Sequence, residues 1–188
     1  MPSSLPEPTV AAPQVVLAEP PSAKPARAEV AVPAEDRGSL TVAAAPPVPM
    51  TASASSEYPG WPAASAIDGD PSTSWFSSTN DSAAKGASPY LEVIFAEPRT
   101  VRAVTILGNR DPSYPDGYAI LAGRLDLVDR AGRVVISVKG AGSGGAHDFD
   151  FRLREPVAAV RAVRFTSLRD EGDSNDHGDV AVAELRVE

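Results

Sequence analysis

The chain has 188 residues, no cysteine and a formal net charge of −8. The lack of cysteine excludes disulfides, thiolate catalysis and cysteine-type zinc sites. The negative charge argues against a nucleic-acid partner and against anionic membrane surfaces, because both need clustered positive charge, and it is compatible with a bound cation.

Residues 1–48 are predicted to form a Pro/Ala-rich linker or tether. Eleven of the 19 prolines precede Met50, and the first aromatic residue is Tyr58. Such a segment buries too little apolar surface to offset the entropy of ordering it, and its prolines favour extended conformations. We expect the folded domain to span residues 49–188, with a net charge of −6.

The chain carries no predicted targeting or membrane segment. Its first residues lack the basic start and apolar stretch of a signal peptide, and no apolar run approaches the ~20 residues of a membrane span. We therefore expect no membrane insertion. A tether ahead of one domain suits a piece of a longer secreted or assembled protein, so an extracellular or surface-associated location is favoured.

Alternating apolar and polar residues predict strands through the rest of the chain. Residues 123–140 predict a hairpin that turns at "DRAG", and residues 60–70 have room for one short helical turn. Roughly six or seven strands with polar, Gly-rich connections and no amphipathic helix indicate an antiparallel β-sandwich of the jelly-roll type. The other predicted strands are residues 90–98, 100–109, 147–156, 158–168 and 179–188.

The stretch "ASAIDGDPSTSW", residues 64–75, concentrates oxygen ligands. A glycosidase acid pair needs carboxyls on opposite sides of a bond, roughly 5–10 Å apart. Asp68 and Asp70 flank a single glycine and point to one small volume, which suits the six to eight oxygens of a calcium ion better. The alternative is an Asx-type turn without metal, in which Asp68 caps its own backbone. Trp75, which ends the stretch, is predicted to be a core residue.

Three stretches resemble the discoidin, or coagulation factor 5/8 type C, domains of the galactose-binding-like superfamily. "TASASSEYPGWPAASAIDGDPSTSWFSS" resembles the opening of that family, "YLEVIFAEPRTVRAVTILGN" its second and third strands, and "AVAELRV" its last strand. The resemblance covers residues 50–188 and implies a galactose-binding-like jelly roll. The hairpin "LVDRAGRVV" lacks the tryptophan of the commoner pattern, so ligand residues near it are not carried over.

The resemblance also implies one structural calcium ion that ties the first loop to the last strand. Its ligands would be the carbonyl of Ser65, the carboxylate of Asp68, the Asp70 position, Thr73, the carbonyl of Ala183 and the carboxylate of Glu184.

Candidate ligand residues lie in two loops. Trp61 stands between a glycine and a proline, where it would either stack on a sugar face or cap the edge of the sandwich. The loop "NRDPSYPDGY" supplies aromatic rings and forked hydrogen-bonding groups, the residue types that sugar recognition needs; its alternative is a Pro-stiffened loop with solvated charges. From this loop the candidates are Asn109, Arg110, Tyr114 and Tyr118.

Two further features are assigned no site. The acidic segment at residues 169–179 does not follow the EF-hand ligand order and is predicted to be a solvated loop. His147 and His177 have no serine nucleophile motif nearby, so a catalytic triad has no support.

The sequence therefore predicts a non-catalytic adhesion module that recognises carbohydrate or another surface ligand through its loops. The alternative is a structural subunit that docks onto a larger protein assembly through its tether, without binding sugar.

Overall fold

The computed structural model describes residues 49–188, so the predicted linker lies outside the described residues. No helix in this part of the chain is long and apolar enough to cross a membrane. The elements, in chain order, are β1 (Met50–Ala54), η1 (Ala63–Ile67), β2 (Trp75–Phe76), η2 (Ala83–Lys85), β3 (Tyr90–Gly108), β4 (Ile120–Asp129), β5 (Val134–Ala141), β6 (Phe149–Asp170), η3 (Gly172–Ser174) and β7 (Ala181–Val187), where η marks a short 3-10 helix.

The strands build two layers that share β3 and β6. The first half of β3 pairs with β1 and with the second half of β6, which continues to β4 and β5. The second half of β3 pairs with β7, which pairs with β2, and with the first half of β6. Every pairing between these strands is antiparallel, which confirms the predicted antiparallel β-sandwich.

The sequence prediction divided β3 and β6 wrongly. Residues 90–98 and 100–109 were expected to be separate strands, as were residues 147–156 and 158–168. The structure joins each pair into one strand, with register shifts in the β3–β6 pairing between Ile94 and Ala103. Bulges bend a strand without ending it, so Pro98 and Pro156 mark bends rather than turns.

The predicted hairpin is confirmed as β4 and β5. Asp129 accepts hydrogen bonds from the N–H groups of Ala131 (2.8 Å) and Arg133 (2.9 Å). Gly132 takes a φ of +77°, the left-handed conformation that glycine adopts without strain.

The core lies between the two layers. Trp75 is buried, as predicted, and its indole N–H donates to the carbonyl of Ser56 at 2.9 Å. Three phenylalanine rings from the two halves of β6 meet there, with centroids 4.9 to 6.2 Å apart: Phe149, Phe151 and Phe165. The loops that carry the candidate sites are therefore attached to strands that pack around this core.

Candidate functional site

The loop at residues 65–73, called here the carboxylate loop, gathers oxygen atoms around one hydroxyl. Thr73 Oγ1 lies 2.8 Å from Asp68 Oδ2, 2.9 Å from the carbonyl oxygen of Asp70 and 3.3 Å from the carbonyl oxygen of Ser65. One hydroxyl has a single hydrogen to donate, so it does not satisfy three acceptors at once. Four of the six predicted calcium ligands thus converge on a small volume.

Hydrogen bonds inside the loop fix its aspartates. Asp68 Oδ1 accepts from the N–H of Asp70 at 2.8 Å, which is an Asx turn. Asp70 Oδ1 accepts from the hydroxyl of Ser72 at 2.7 Å and from its N–H at 2.9 Å, and these bonds lower the pKa of Asp70. The Asx turn named as the metal-free alternative is therefore present, and it leaves Asp68 Oδ2 directed toward Thr73.

Glu184 on β7 closes this group from the other end of the chain. Its side chain is buried, and Oε2 has no hydrogen-bond partner within the described part of the chain. Burial raises the pKa of Glu184, the charges of Asp68 and Asp70 raise it further, and Arg186 and the N–H of Gly69 oppose the rise. The structure thus brings the carboxylate loop to β7, which also holds Ala183.

The donor set fits a hard cation. Every candidate atom is a carboxylate, hydroxyl or carbonyl oxygen, which suits calcium and not the softer metals. Among residues 49–188 no group of three or more His, Cys, Asp or Glu side chains stands together as a metal site. The fit therefore depends on the hydroxyl and main-chain oxygens and on the unpartnered buried oxygen of Glu184.

A second site, called here the aromatic pocket, lies where the first loop meets the loop after β3. The turn that builds it is held by backbone bonds from Tyr58 N–H to the Phe76 carbonyl (2.9 Å) and from Trp61 N–H to the Tyr58 carbonyl (3.0 Å). Gly60 turns the chain with a φ of +94°. The pocket is lined by Tyr58, Trp61, Phe76, Tyr114, Tyr118, His177 and Asp179.

The rings of this pocket form an edge-to-face network. Tyr114 contacts Trp61, Phe76 and Tyr118, with centroids 5.5, 5.8 and 5.9 Å away. Phe76 and Tyr118 are buried, whereas Tyr58, Trp61 and Tyr114 are half-buried and present part of each ring to solvent. The cavity between them has a volume of about 20 Å³, room for roughly one water-sized group.

Asp179 supplies the charge of the pocket. It is 2% exposed, and its Oδ1 has no hydrogen-bond partner among residues 49–188. Burial raises the pKa of Asp179 to about 6, with the opposing influence of its own N–H and of His177. Burial also raises the pKa of Tyr118, and the Asp179 charge adds to that rise.

Four residues of the pocket carry no predicted ligand role: Tyr58, Phe76, His177 and Asp179. Asp179 was placed in a solvated acidic loop because it belongs to an acid-rich segment. It directly precedes the apolar run that begins at Val180, so its position at the start of a buried strand was the signal available.

The predicted ligand residues have different surroundings. Trp61 and Tyr114 line the aromatic pocket, and Tyr118 forms its buried wall. Asn109 accepts from the hydroxyl of Ser74 (3.1 Å) and donates to the carbonyl of Tyr114, so its amide holds the loop.

Arg110 is also engaged within the protein. It donates to the carbonyl of Gly108 at 2.7 Å and to both carboxylate oxygens of Asp148, at 2.8 and 2.6 Å. Partial burial raises the pKa of Asp148, but the hydrogen bonds from Arg110 and Gly108 outweigh it and the net pKa is lowered. Ligand contact by Asn109 and Arg110 stays a prediction.

The chain was compared with family models, with curated proteins and with solved structures. Residues 51–184 match the family model described as the F5/8 type C domain. A search of curated proteins returns no match.

Several solved structures share the fold. One is the family 32 CBM from C. perfringens NanJ in complex with galactose, with 24% identity and a TM-score of 0.60 over 73% of this chain and 92% of that one. Another is a mutant of the lectin binding domain of Lectinolysin complexed with Lewis b, with 17% identity and a TM-score of 0.58 over 75% of this chain and 97% of that one. A third is a Streptococcus pneumoniae fucose binding module, with 14% identity and a TM-score of 0.55 over 73% of this chain and 89% of that one.

The family match spans most of the chain and includes both the carboxylate loop and the loops of the aromatic pocket. It confirms the resemblance to this family that the three sequence stretches indicated. The chain belongs to the F5/8 type C domain family.

Proposed function

We propose that residues 49–188 form a non-catalytic carbohydrate-binding module, and that its ligand site is the mouth of the aromatic pocket. The observation that carries this proposal is the cluster of half-buried rings, Tyr58, Trp61 and Tyr114, around a concave opening. The solved structures described above in complex with galactose and with Lewis b share the fold and support the same role.

The chemistry of the opening suits a sugar. Aromatic rings contact the C–H face of a pyranose, and a few fixed polar groups orient its hydroxyls. The indole N–H of Trp61 donates to Asp111 at 3.1 Å, so the ring is held in place before a ligand arrives. A site ordered in advance loses less conformational entropy on binding.

A glycan array probed with the labelled full chain tests the proposal. We expect binding to a defined set of glycans, and a dissociation constant for the strongest of them measurable by calorimetry. The absence of binding to every glycan on the array, with the protein shown to be folded by its thermal unfolding, would contradict the proposal.

Two tyrosine variants locate the site. Tyr114→Ala should weaken binding of the selected glycan by about 10-fold or more, since stacking rings contribute one to a few kcal/mol. Tyr90→Ala is the matched control, because Tyr90 is also half-buried but contacts Arg164, at 4.7 Å from the ring centroid, and not the pocket. Equal losses in the two variants would place the ligand elsewhere.

We also propose that one calcium ion is bound between the carboxylate loop and β7. The carboxylates of Asp68, Asp70 and Glu184, Thr73, and the carbonyl oxygens of Ser65 and Ala183 would hold it. The unpartnered Oε2 of buried Glu184 supports this proposal. The ion would supply positive charge to carboxylates that otherwise repel one another, and so fix the first loop to the last strand.

Docking onto a protein assembly is the second candidate function. The observation that favours it is the edge strand β5, where Val134 and Val135 are 55% and 44% exposed. Substitution of both valines by threonine should release the folded protein from such an assembly. Retention of the variant in the assembly would contradict docking through this edge strand.

A further inference from the structure

The aromatic pocket contains a charge that the fold does not neutralise. Asp179 is almost fully buried and lines the cavity, yet its Oδ1 has no partner among the described residues. A buried carboxylate without a partner is costly, so proteins usually pair it or bind a ligand to it.

The groups around Asp179 supply little positive charge. Among the described residues that line the pocket there is no lysine or arginine, and His177 is the one histidine. The other titratable groups facing the pocket are Tyr58, Tyr114 and Tyr118, with Asp176 close enough to influence Tyr118. The described lining of the pocket therefore supplies no lysine or arginine as a counter-ion for Asp179.

The size and walls of the cavity suit a small cation. A volume of about 20 Å³ admits one water-sized group, which is also the size class of an ammonium group. Ring faces attract cations, more strongly where water is excluded. The rest of a ligand would extend past the half-buried rings of Trp61 and Tyr114.

A polar cleft beside the pocket is also lined by acidic residues. Its volume is about 340 Å³, and the ionisable residues that line it within the described part of the chain are Asp116, Glu171 and His147. Residues 114–118 form a wall of both spaces, since Tyr114 and Tyr118 face the pocket and Asp116 lines the cleft. A ligand reaching from one space to the other meets acidic groups in both.

From these observations we propose that the aromatic pocket binds the protonated amino group of an amino sugar, with Asp179 as its counter-ion. This inference rests on the proposed carbohydrate-binding function and names the ligand class of the same site. It assigns to Asp179 the role of selecting an amino sugar over its N-acetylated form.

Matched monosaccharides test this selection at pH 7 with the full chain. Calorimetric or NMR titration compares galactosamine with N-acetylgalactosamine and galactose, and glucosamine with N-acetylglucosamine and glucose. We expect the free amine to bind at least about 10-fold more tightly than its partners in one of the two series. Binding of Nα-acetyl-lysinamide as tight as that of the hexosamine would overturn the assignment to a sugar.

Two variants separate the charge from the fold. Asp179→Asn should remove the preference for the amine, because it keeps the shape of the side chain and deletes its charge. Asp176→Asn, an exposed acid of the same segment, should keep that preference. Sugar binding without amine preference in the unmodified protein overturns this inference and leaves the carbohydrate-binding function standing, whereas absence of any glycan binding contradicts both.

Discussion

At the scale of single residues, the carboxylates divide into those that the protein satisfies and those that it does not. Asp129 and Asp148 accept hydrogen bonds from neighbouring N–H groups and arginines, and the net pKa of each is lowered. Asp179 and Glu184 are buried with an unpartnered oxygen, and burial raises the pKa of each. Stability alone does not explain buried unpaired carboxylates, so these two mark the places where a ligand is expected.

Asp179 should make the stability of the free protein depend on pH. Its folded pKa of about 6 exceeds the ordinary value of 3.8, so the native state binds its proton more tightly than the unfolded chain does. The resulting destabilisation is absent well below pH 3.8, grows between pH 3.8 and 6, and is complete above pH 6. Asp179→Asn should therefore raise the free energy of unfolding by up to about 3 kcal/mol at pH 7.5 and by less than about 1 kcal/mol at pH 4. Urea unfolding at both pH values measures this, and a less stable variant at pH 7.5 would refute it.

The effect of Glu184→Gln on stability should have opposite signs in the absence and in the presence of calcium. With chelator present, Glu184→Gln should be as stable as the unmodified protein or more stable, because it removes a buried unpaired charge. With calcium at 100 times its dissociation constant, the unmodified protein should gain about 2.7 kcal/mol and the variant should gain little.

Thermal unfolding with calcium and with chelator measures this effect. Asp116→Asn, an exposed acid outside the carboxylate loop, is the control that should keep the full gain. An unchanged unfolding midpoint of the unmodified protein in calcium and in chelator would exclude the calcium ion.

At the scale of elements, the sequence predicts strands well and their bends poorly. Alternation of apolar and polar residues is local, so it located β4, β5 and β7 and the turn at Asp129. Residues 90–108 form the single strand β3 because they pair with the distant strand β6. A local sequence pattern does not show that pairing. For the same reason the two proline-containing bends looked like strand ends.

Gly123 in β4 should be intolerant of a side chain. A methyl group there would lie 2.2 Å from the ring of Phe165, a buried side chain fixed in the core. Gly123→Ala should lower the free energy of unfolding by about 1–3 kcal/mol, which chemical denaturation measures. Gly145→Ala, with no atom within 4 Å of the added group, should change it by less than about 0.5 kcal/mol. Equal changes in the free energy of unfolding of the two variants would contradict the close packing of Gly123 against Phe165.

Asp170 at the end of β6 should anchor η2. Its carboxylate accepts from the N–H groups of Ala83 (2.7 Å) and Ala84 (3.1 Å) and from the hydroxyl of Ser167 (2.7 Å). Asp170→Asn should cost about 2 kcal/mol, because an amide N–H₂ would face donors.

Asp173→Asn is the control for that substitution. It breaks only the exposed pair of Asp173 with Lys85 and should cost less than about 1 kcal/mol. Urea unfolding measures both variants, and a larger loss in the control would contradict the anchoring role.

At the scale of the whole molecule, both candidate sites belong to one β-sandwich. The sequence predicted the carboxylate loop more completely than the aromatic pocket. The carboxylate loop follows a sequence motif, so its six candidate ligands were named from the sequence. The aromatic pocket draws Tyr58, Phe76, Tyr114 and Asp179 from four separate segments. Its assembly depends on the tertiary fold, which brings these segments together. The sequence therefore indicated Trp61, Tyr114 and Tyr118 but not the buried carboxylate of Asp179.

The domain should be independent of residues 1–48. Among the described residues 49–188, the core cluster extends from Ala52 to Val187, and the Pro/Ala-rich composition of residues 1–48 offers little apolar surface to add to it. A chain truncated to residues 49–188 should therefore unfold at the same temperature as the full chain and bind the same glycans. Calorimetry and the glycan array measure both properties, and a fall of several degrees in the unfolding temperature would contradict the predicted boundary.

The most direct test of the binding site uses the two tryptophans of the chain as reporters. Their indole N–H groups give two signals in a ¹⁵N-edited NMR spectrum, from half-buried Trp61 in the aromatic pocket and from Trp75 in the core. Titration with the strongest glycan should shift the signal of Trp61 with the same dissociation constant as calorimetry and leave that of Trp75 in place. An unmoved Trp61 signal at ligand saturation would contradict the assignment of the aromatic pocket as the ligand site.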